Sequence, residues 1–211
     1  MPGEKQHFDK YAGQAEHWSD DAYADADAYL AHRAELIVFL GPALVAGDTV
    51  LDLACGDAGL AAHLPGLRYI GIDASPQMVE AARRRGREVV LADLNDYEPA
   101  QPVTATTCFR AIYYARDRPT FFRRVADYTE RKLVFDLNPR QYRIGEVKAE
   151  LREAGFDGFV LRPFFAPQRV SLPGPAAAAL RGLERTGPLA RLLLTFRFSY
   201  LCAAFRGGKY A

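Results

Sequence analysis

The sequence predicts an α/β fold, a doubly wound sheet of seven strands with helices on both faces and a helical segment at its N-terminus. Three observations carry that expectation. Short apolar and β-branched runs alternate with stretches of helical periodicity from residue 49 onward. The first run, Val50-Leu-Asp-Leu53, leads through a small-residue turn around Gly56 and Gly59 into Leu60-Ala-Ala-His-Leu64, which reads as the start of a helix. Asp52, Asp73 and Asp93 stand at or near the ends of the first three strands, at intervals of 21 and 20 residues. Ligands of open α/β sheets collect at the carboxyl ends of the strands. Carboxylates recurring there point to a nucleotide-type pocket, and Asp73 is placed to accept both hydroxyls of a ribose.

The chain has 211 residues, a length that suits one domain over residues 1–211. An apolar share of 49% and a charged share of 25% are ordinary for a globular protein. That length buries enough apolar surface to fold without disulfides. A net charge of +1 lacks the basic excess that a nonspecific grip on nucleic acid needs, so no nucleic-acid partner is expected. No apolar run reaches membrane-spanning length, and the leading Met1-Pro-Gly-Glu-Lys-Gln-His7 is polar, unlike a signal peptide. Cys55, Cys108 and Cys202 are widely spaced, as in reduced cytoplasmic proteins. The expectation is a cytoplasmic monomer or homodimer with no membrane partner. No Cys/His cluster has metal-ligand spacing, so no metal is expected.

Residues 5–20 are polar and aromatic, with Phe8, Tyr11 and Trp18 beside His7 and His17. Asp20, Asp21, Asp25 and Asp27 mark a solvated stretch. Residues 26–44 read as a helix, with Leu30, Leu36, Ile37, Leu40 and Leu44 near helical spacing, and Gly47-Asp48 ends the region. Arg68-Tyr-Ile-Gly-Ile-Asp73 is the second strand. Ser75 is a good N-cap and Pro76 a good first residue for a helix through Val79, Ala81 and Ala82, which Gly86 stops. Arg83, Arg84 and Arg85 in its last turn read as solvated charge complementing the helix dipole. Residues 88–94 form the third strand, and 103–110, rich in β-branched residues, the fourth. A helix over 119–128, a fifth strand over 132–136 and a helix through Val147, Leu151 and Ala154 follow, the last closed by Gly155. The sixth strand covers 159–165. A proline-punctuated excursion with a short helix at 176–183 separates it from a last strand over 198–205.

These segments resemble the class I, Rossmann-like S-adenosylmethionine-dependent methyltransferases. In that family an acidic residue on the first strand is followed by a Gly-x-Gly-x-Gly turn. Here the turn reads Ala54-Cys55-Gly56-Asp57-Ala58, with Ala at the first and third Gly places. Ala keeps close approach to the backbone but loses some φ > 0 freedom. A dinucleotide fold would need Gly-x-Gly-x-x-Gly, whose first Gly is missing, and the extra carboxylate of Asp57 suits a cationic sulfonium better than a diphosphate. The resemblance implies S-adenosyl-L-methionine as cofactor. It places Asp52, Ala54 and Gly56 at the first turn, Asp73 at the ribose and Met78 beside the adenosine. Asp93 and the Leu94 N–H would meet the adenine, with Ala74, Phe109 and Arg110 in the cofactor's surroundings. Met78 could equally be core, and Asp93 could simply cap a turn. The family's last strand runs antiparallel to an otherwise mostly parallel sheet. Phe8-Asp-Lys-Tyr-Ala12 matches a segment that folds over the cofactor as a helical lid, with Tyr11 on the cofactor carboxylate. The same aromatics also suit a cap helix that only packs. This divides the chain into a cap or lid over 1–45, a cofactor-binding core over 46–165 and a substrate-side excursion over 166–195, lying over the active-site end.

The implied activity is transfer of a methyl group to an O, N or C acceptor on a small molecule. Displacement at the sulfonium carbon rests mostly on alignment, and needs a base only if the acceptor holds its proton. Tyr113 and Tyr114 follow the fourth strand, where the acceptor meets the methyl, and His17 is a lid histidine that could act as base. These three are the catalytic candidates. His32 and His63 fall in helical stretches and read as structural. One tyrosine is expected to line the pocket and the other to pack against the excursion. Arg110 either grips a carboxylate or pairs with Asp52 or Asp117. A methyltransferase acting on RNA or protein and a noncatalytic cofactor-binding regulator are the alternatives.

Overall fold

The computed structural model describes Ala15, residues 18–186, Ala190 and residues 199–207. Tyr11 and His17, with the rest of the Phe8–Ala12 motif, lie outside the described residues. The strands are β1 (Thr49–Leu53), β2 (Arg68–Asp73), β3 (Val89–Leu91), β4 (Val103–Cys108), β5 (Thr129–Leu137), β6 (Gly158–Phe164) and β7 (Ser199–Phe205). They form one seven-stranded sheet in the order β3-β2-β1-β4-β5-β7-β6. β1 pairs in parallel with β2 and β4, β2 with β3, and β4 with β5. β7 runs antiparallel between β5 and β6. The expected mostly parallel sheet with an antiparallel last strand is therefore present. The strand order reverses at β1, so the cleft between β1 and β4 opens at their carboxyl ends, where a doubly wound sheet binds its ligand.

The helices are α1 (Trp18–Ala22), α2 (Ala26–Phe39), α3 (Pro76–Arg84), α4 (Arg118–Tyr128), α5 (Ile144–Glu153) and α6 (Gly174–Leu183). Side chains alternate across the central strands, as a pleat requires. Leu51 and Leu53 of β1, with Leu133, Phe135 and Leu137 of β5, face a core built with Phe122 and Val125 of α4 and Val147 and Leu151 of α5. Val50, Val134, Leu201 and Ala203 face the opposite core, where Leu30, Ala34 and Ile37 of α2 pack. Lys132 is fully buried among these strands. Its ammonium donates to the carbonyls of Val38 and Leu40 at 3.1 and 3.0 Å, which completes the end of α2.

Several boundaries differ from the sequence reading, each for a local reason. α2 stops at Phe39 instead of reaching 44, because Leu40 turns extended and Gly41, before Pro42, takes a φ of +70°. Residues Gly59–His63 form one 3₁₀ turn, not a longer helix, since Pro65 disfavours a helical Leu64. β3 is three residues long and is an edge strand, so Asp93 lies two residues past its end. β5 starts at Thr129, whose hydroxyl shares a buried 2.6 Å hydrogen bond with that of Thr106. Ser75 does cap α3, accepting from the Met78 N–H at 3.4 Å. The three arginines closing α3 are not simply solvated. Arg83 donates to the Val89 carbonyl, Arg84 pairs with Glu80, and Arg85 reaches Asp57 at 2.8 Å. No helix among the described residues is long and apolar enough to cross a membrane. All three cysteines are free thiols.

Candidate active site

A cavity of about 480 Å³ opens at the carboxyl ends of β1, β2 and β4, and α1 and α2 close one side of it. Asp52, Ala54, Gly56, Asp73, Ala74, Met78, Asp93, Leu94, Phe109, Arg110, Tyr113 and Tyr114 all line it. Residues drawn from 62 positions of sequence thus converge on one space. Its volume falls within the range of small-molecule sites.

The turn after β1 is built from conformations that Gly would adopt more cheaply. Ala54 and Ala58 have φ of +57° and +55°, and Gly56 has +59°. The two alanines therefore replace glycine without changing the turn, at the cost of left-handed strain. A Cβ on Gly56 would also sit 3.0 Å from the indole of Trp18, which packs over the turn from α1. Behind the turn, Gly71 of β2 leaves room for Cys55, since a Cβ there would lie 2.7 Å from its sulfur.

Asp73 joins the turn to β2. One carboxylate oxygen accepts the Gly56 N–H at 2.8 Å and the other the Ser75 N–H at 2.9 Å. Burial raises its pKa, against the backbone N–H groups of Ser75, Gly56 and Ala74, which favour the charged form. A carboxylate has about four acceptor positions. Asp73 lines the cavity with acceptor capacity to spare on each oxygen.

Asp52 sits deeper, 4% exposed, and accepts from the Tyr69 and Thr107 hydroxyls at 2.7 and 2.6 Å. Burial pushes its pKa up to about 6, although both hydroxyl bonds and the charge of Arg33 oppose the shift. Asp57 departs from its expected role. Its carboxylate is 1% exposed and is bound by the Ser19 N–H and hydroxyl, the Gly59 N–H and Arg85. Those donors fill its acceptor positions and Arg85 offsets its charge, so it pins α1 to the turn. Asp93 caps its own turn, accepting from the Asn95 N–H and side-chain amide, and pairs with Arg116 at 3.3 Å.

After β4 the chain turns sharply. Arg110 takes a φ of +52°, and its N–H donates to Asp136 at 2.6 Å. The side chain pairs with neither Asp52 nor Asp117: among the described residues no carboxylate lies within 4 Å of its guanidinium. Residues Ile112–Tyr114 form a 3₁₀ turn that carries both tyrosines to the cavity rim. Their rings are 4.4 Å apart and tilted by 51°. Tyr113 is 55% and Tyr114 38% exposed. The 3₁₀ turn sends both rings outward at the rim.

The described part of the excursion packs on α2. Glu184, at the end of α6, accepts from His32 Nε2 at 2.9 Å and from the Phe165 N–H at 2.8 Å. That fastens α6 against α2. No described residue of the excursion lines the main cavity. His32 is spent on this contact, and His63 lies 3.7 Å from Asp27. Both are structural in their surroundings. Among the described residues no cluster of His, Cys, Asp or Glu is arranged to hold a metal ion.

Among the wall residues that the sequence reading did not assign to the site are Ser19, Tyr23, Arg33 and Asn95. Arg33 is 5% exposed and donates to the Tyr29 hydroxyl at 2.9 Å. Its guanidinium lies over the rings of Phe109 at 4.4 Å and Tyr29 at 4.8 Å. The available signal was an arginine on the apolar stripe of a helix, three residues after Leu30 and four before Ile37.

Comparison with known proteins agrees with this architecture. The methyltransferase-domain family profile matches residues 50–132. The trans-aconitate 2-methyltransferase of Mycobacterium tuberculosis is 30% identical over 193 residues, which cover 86% of this chain and 59% of that protein. This chain thus spans less than two-thirds of the length of the curated relatives it matches. Among solved structures, a TehB-like methyltransferase from Corynebacterium glutamicum superposes with a TM-score of 0.60 at 16% identity, covering 96% of this chain and 98% of that one. The magnesium protoporphyrin IX methyltransferase of Synechocystis, crystallised with S-adenosylmethionine, gives 0.57 at 15% identity, covering 90% and 79%. The strand order, the turn after β1 and the profile match over residues 50–132 lead to one conclusion: the chain has the fold of the class I, Rossmann-like S-adenosylmethionine-dependent methyltransferases and is similar in sequence to their methyltransferase domain.

Proposed function

We propose that the chain binds S-adenosylmethionine in the 480 Å³ cavity and transfers its methyl group to a small-molecule acceptor. The observation that carries this reading is Asp73, held by two backbone N–H groups with acceptor capacity left at the cavity wall. That is the chemistry that two ribose hydroxyls need. The remaining wall fits the rest of the cofactor. Met78 offers an apolar face for the adenosine, and the Leu94 N–H with Asp93 offers a donor and an acceptor for the adenine edge. The exposed backbone of Ala54, Gly56 and Ala74 permits close approach.

When bound, the cofactor supplies a methyl carbon already activated by a sulfonium. The chain's own residues need mainly to bind, orient and exclude water. Asp52 contributes a buried carboxylate whose ionised form a neighbouring cation would stabilise. Phe109 and the paired rings of Tyr113 and Tyr114 wall the acceptor side and orient what enters. Tyr11 and His17 remain candidates for lid and base. A small acceptor is supported by the cavity's size, by the near-neutral charge of the chain and by the relative named for trans-aconitate, a small acid.

The test is turnover. Purified protein given S-adenosylmethionine and a panel of small acids, phenols and amines should form S-adenosylhomocysteine together with a methylated acceptor, both read by mass spectrometry. Protein that binds no cofactor and forms neither product would overturn the reading.

A further inference from the structure

The cavity wall has a polarity that cofactor binding alone does not use. Asp52, Asp73 and Asp93 lie along the β1–β3 side, whereas Arg33 and Arg110 lie on the α2 and β4 side. Among the described residues neither arginine has a carboxylate within ion-pair distance. Buried Asp136 and Asp52 offset part of their charge through space, without hydrogen bonds to either guanidinium. Asp136 accepts the Arg110 N–H, and both Asp52 oxygens carry hydroxyl bonds.

Arg33 is the sharper anomaly. It is 95% buried by its 5% exposure, and its Nε has no hydrogen-bond partner. A guanidinium has five donors in a fixed planar fork. Burying one with donors unmet is costly unless something else meets them. The rings of Tyr29 and Phe109 hold that plane in place, and the Tyr29 and Tyr23 hydroxyls take two of its donors, while Nε stays unmet. A preorganised, under-satisfied guanidinium with a second arginine on the same wall is suited to bidentate recognition of a carboxylate.

Resting on the methyltransferase reading, we infer that Arg33 and Arg110 form an anchoring site for a carboxylate of the acceptor, so that the natural substrate is a small organic acid. The anchored carboxylate is not the group that takes the methyl. Pairing with guanidinium draws charge from its oxygens and makes them poor nucleophiles. The acceptor therefore carries at least one carboxylate besides the atom that is methylated. S-adenosylmethionine has a single carboxylate, which can engage at most one of the two guanidinium forks in bidentate fashion.

The test uses calorimetric binding to the full chain. S-adenosylhomocysteine is titrated first, and its failure to bind would count against the methyltransferase reading itself. Succinate and trans-aconitate are then titrated into the saturated complex, with uncharged succinamide as control. The acids should bind and succinamide should not. Arg110→Gln should weaken the acids roughly ten- to a hundredfold, the loss expected for a charge-assisted hydrogen bond. Arg33→Lys, which keeps the buried charge but not the fork, should weaken them similarly. In both variants S-adenosylhomocysteine should keep its advantage over methylthioadenosine, which lacks the carboxylate. The inference is overturned if the acids do not bind the saturated complex or if Arg110→Gln binds them unchanged. It is also overturned if the variants lose the preference for S-adenosylhomocysteine over methylthioadenosine, because the cofactor's own carboxylate would then occupy the site.

Discussion

The Gly56 N–H donates to the Asp73 carboxylate across 2.8 Å, and this contact fixes the turn after β1 against the end of β2. Seventeen residues separate the two in sequence. The same carboxylate therefore orders the glycine turn and faces the cavity.

Ala54 occupies a left-handed conformation that glycine adopts at no steric cost. Ala54→Gly should leave stability unchanged or raise it by up to about 1 kcal/mol, since relief of strain offsets the extra freedom of the unfolded chain. Cofactor affinity should be retained. Denaturant midpoints and calorimetry check both statements, and a loss of more than about 1 kcal/mol would show that the methyl group packs more than it strains.

Asp52 makes a pH-dependent contribution whose sign is set by its raised pKa. The folded protein holds this proton up to about pH 6, against an ordinary value of 3.8. The stability it contributes is thus full below pH 3.8 and is lost as pH rises through 6. Asp52→Asn cannot titrate and should lack that loss. Between pH 4 and 7 the stability of the variant relative to the parent should rise by up to about 3 kcal/mol. Urea denaturation of both proteins at four pH values measures the difference. A constant offset would mean that Asp52 is ionised throughout.

Glu184 fastens the excursion, and its loss should be felt in stability more than in the cavity. Glu184→Ala leaves His32 Nε2 and the Phe165 N–H buried without an acceptor, a cost of about 2–4 kcal/mol. S-adenosylhomocysteine affinity should change little, because no described residue of α6 lines the main cavity. Thermal unfolding and calorimetry separate the two effects.

The sheet was legible because buried parallel strands read as continuous apolar runs, and because Ser75-Pro76 and Gly86 punctuate α3 at the residue level. The convergence of Asp52, Asp73 and Asp93 on one cavity was legible for a related reason. These residues stand at or near strand ends, where topology alone determines their direction. The acceptor side was not. Arg33 looks like a flaw in an apolar stripe until Tyr29, on its own helix, and Phe109, 76 positions later, are seen to box it. Asp57 was misread because its partners, Ser19 and Arg85, are 38 and 28 residues away, and nothing local shows that its oxygens are already taken. Helix ends were misjudged where proline acts at a distance of one or two residues, as Pro65 does on Leu64.

The measurement that bears most directly on the account is calorimetric titration of S-adenosylmethionine into the parent, Asp73→Asn and Asp73→Ala proteins, each first shown to unfold cooperatively. If Asp73 binds the ribose hydroxyls, Asp73→Ala should weaken binding by about 1.5–3 kcal/mol, roughly ten- to 150-fold. Asp73→Asn, which can still accept one backbone N–H, should fall between the two. Equal affinity in all three proteins would contradict the account and move the cofactor away from the Gly56–Asp73 corner.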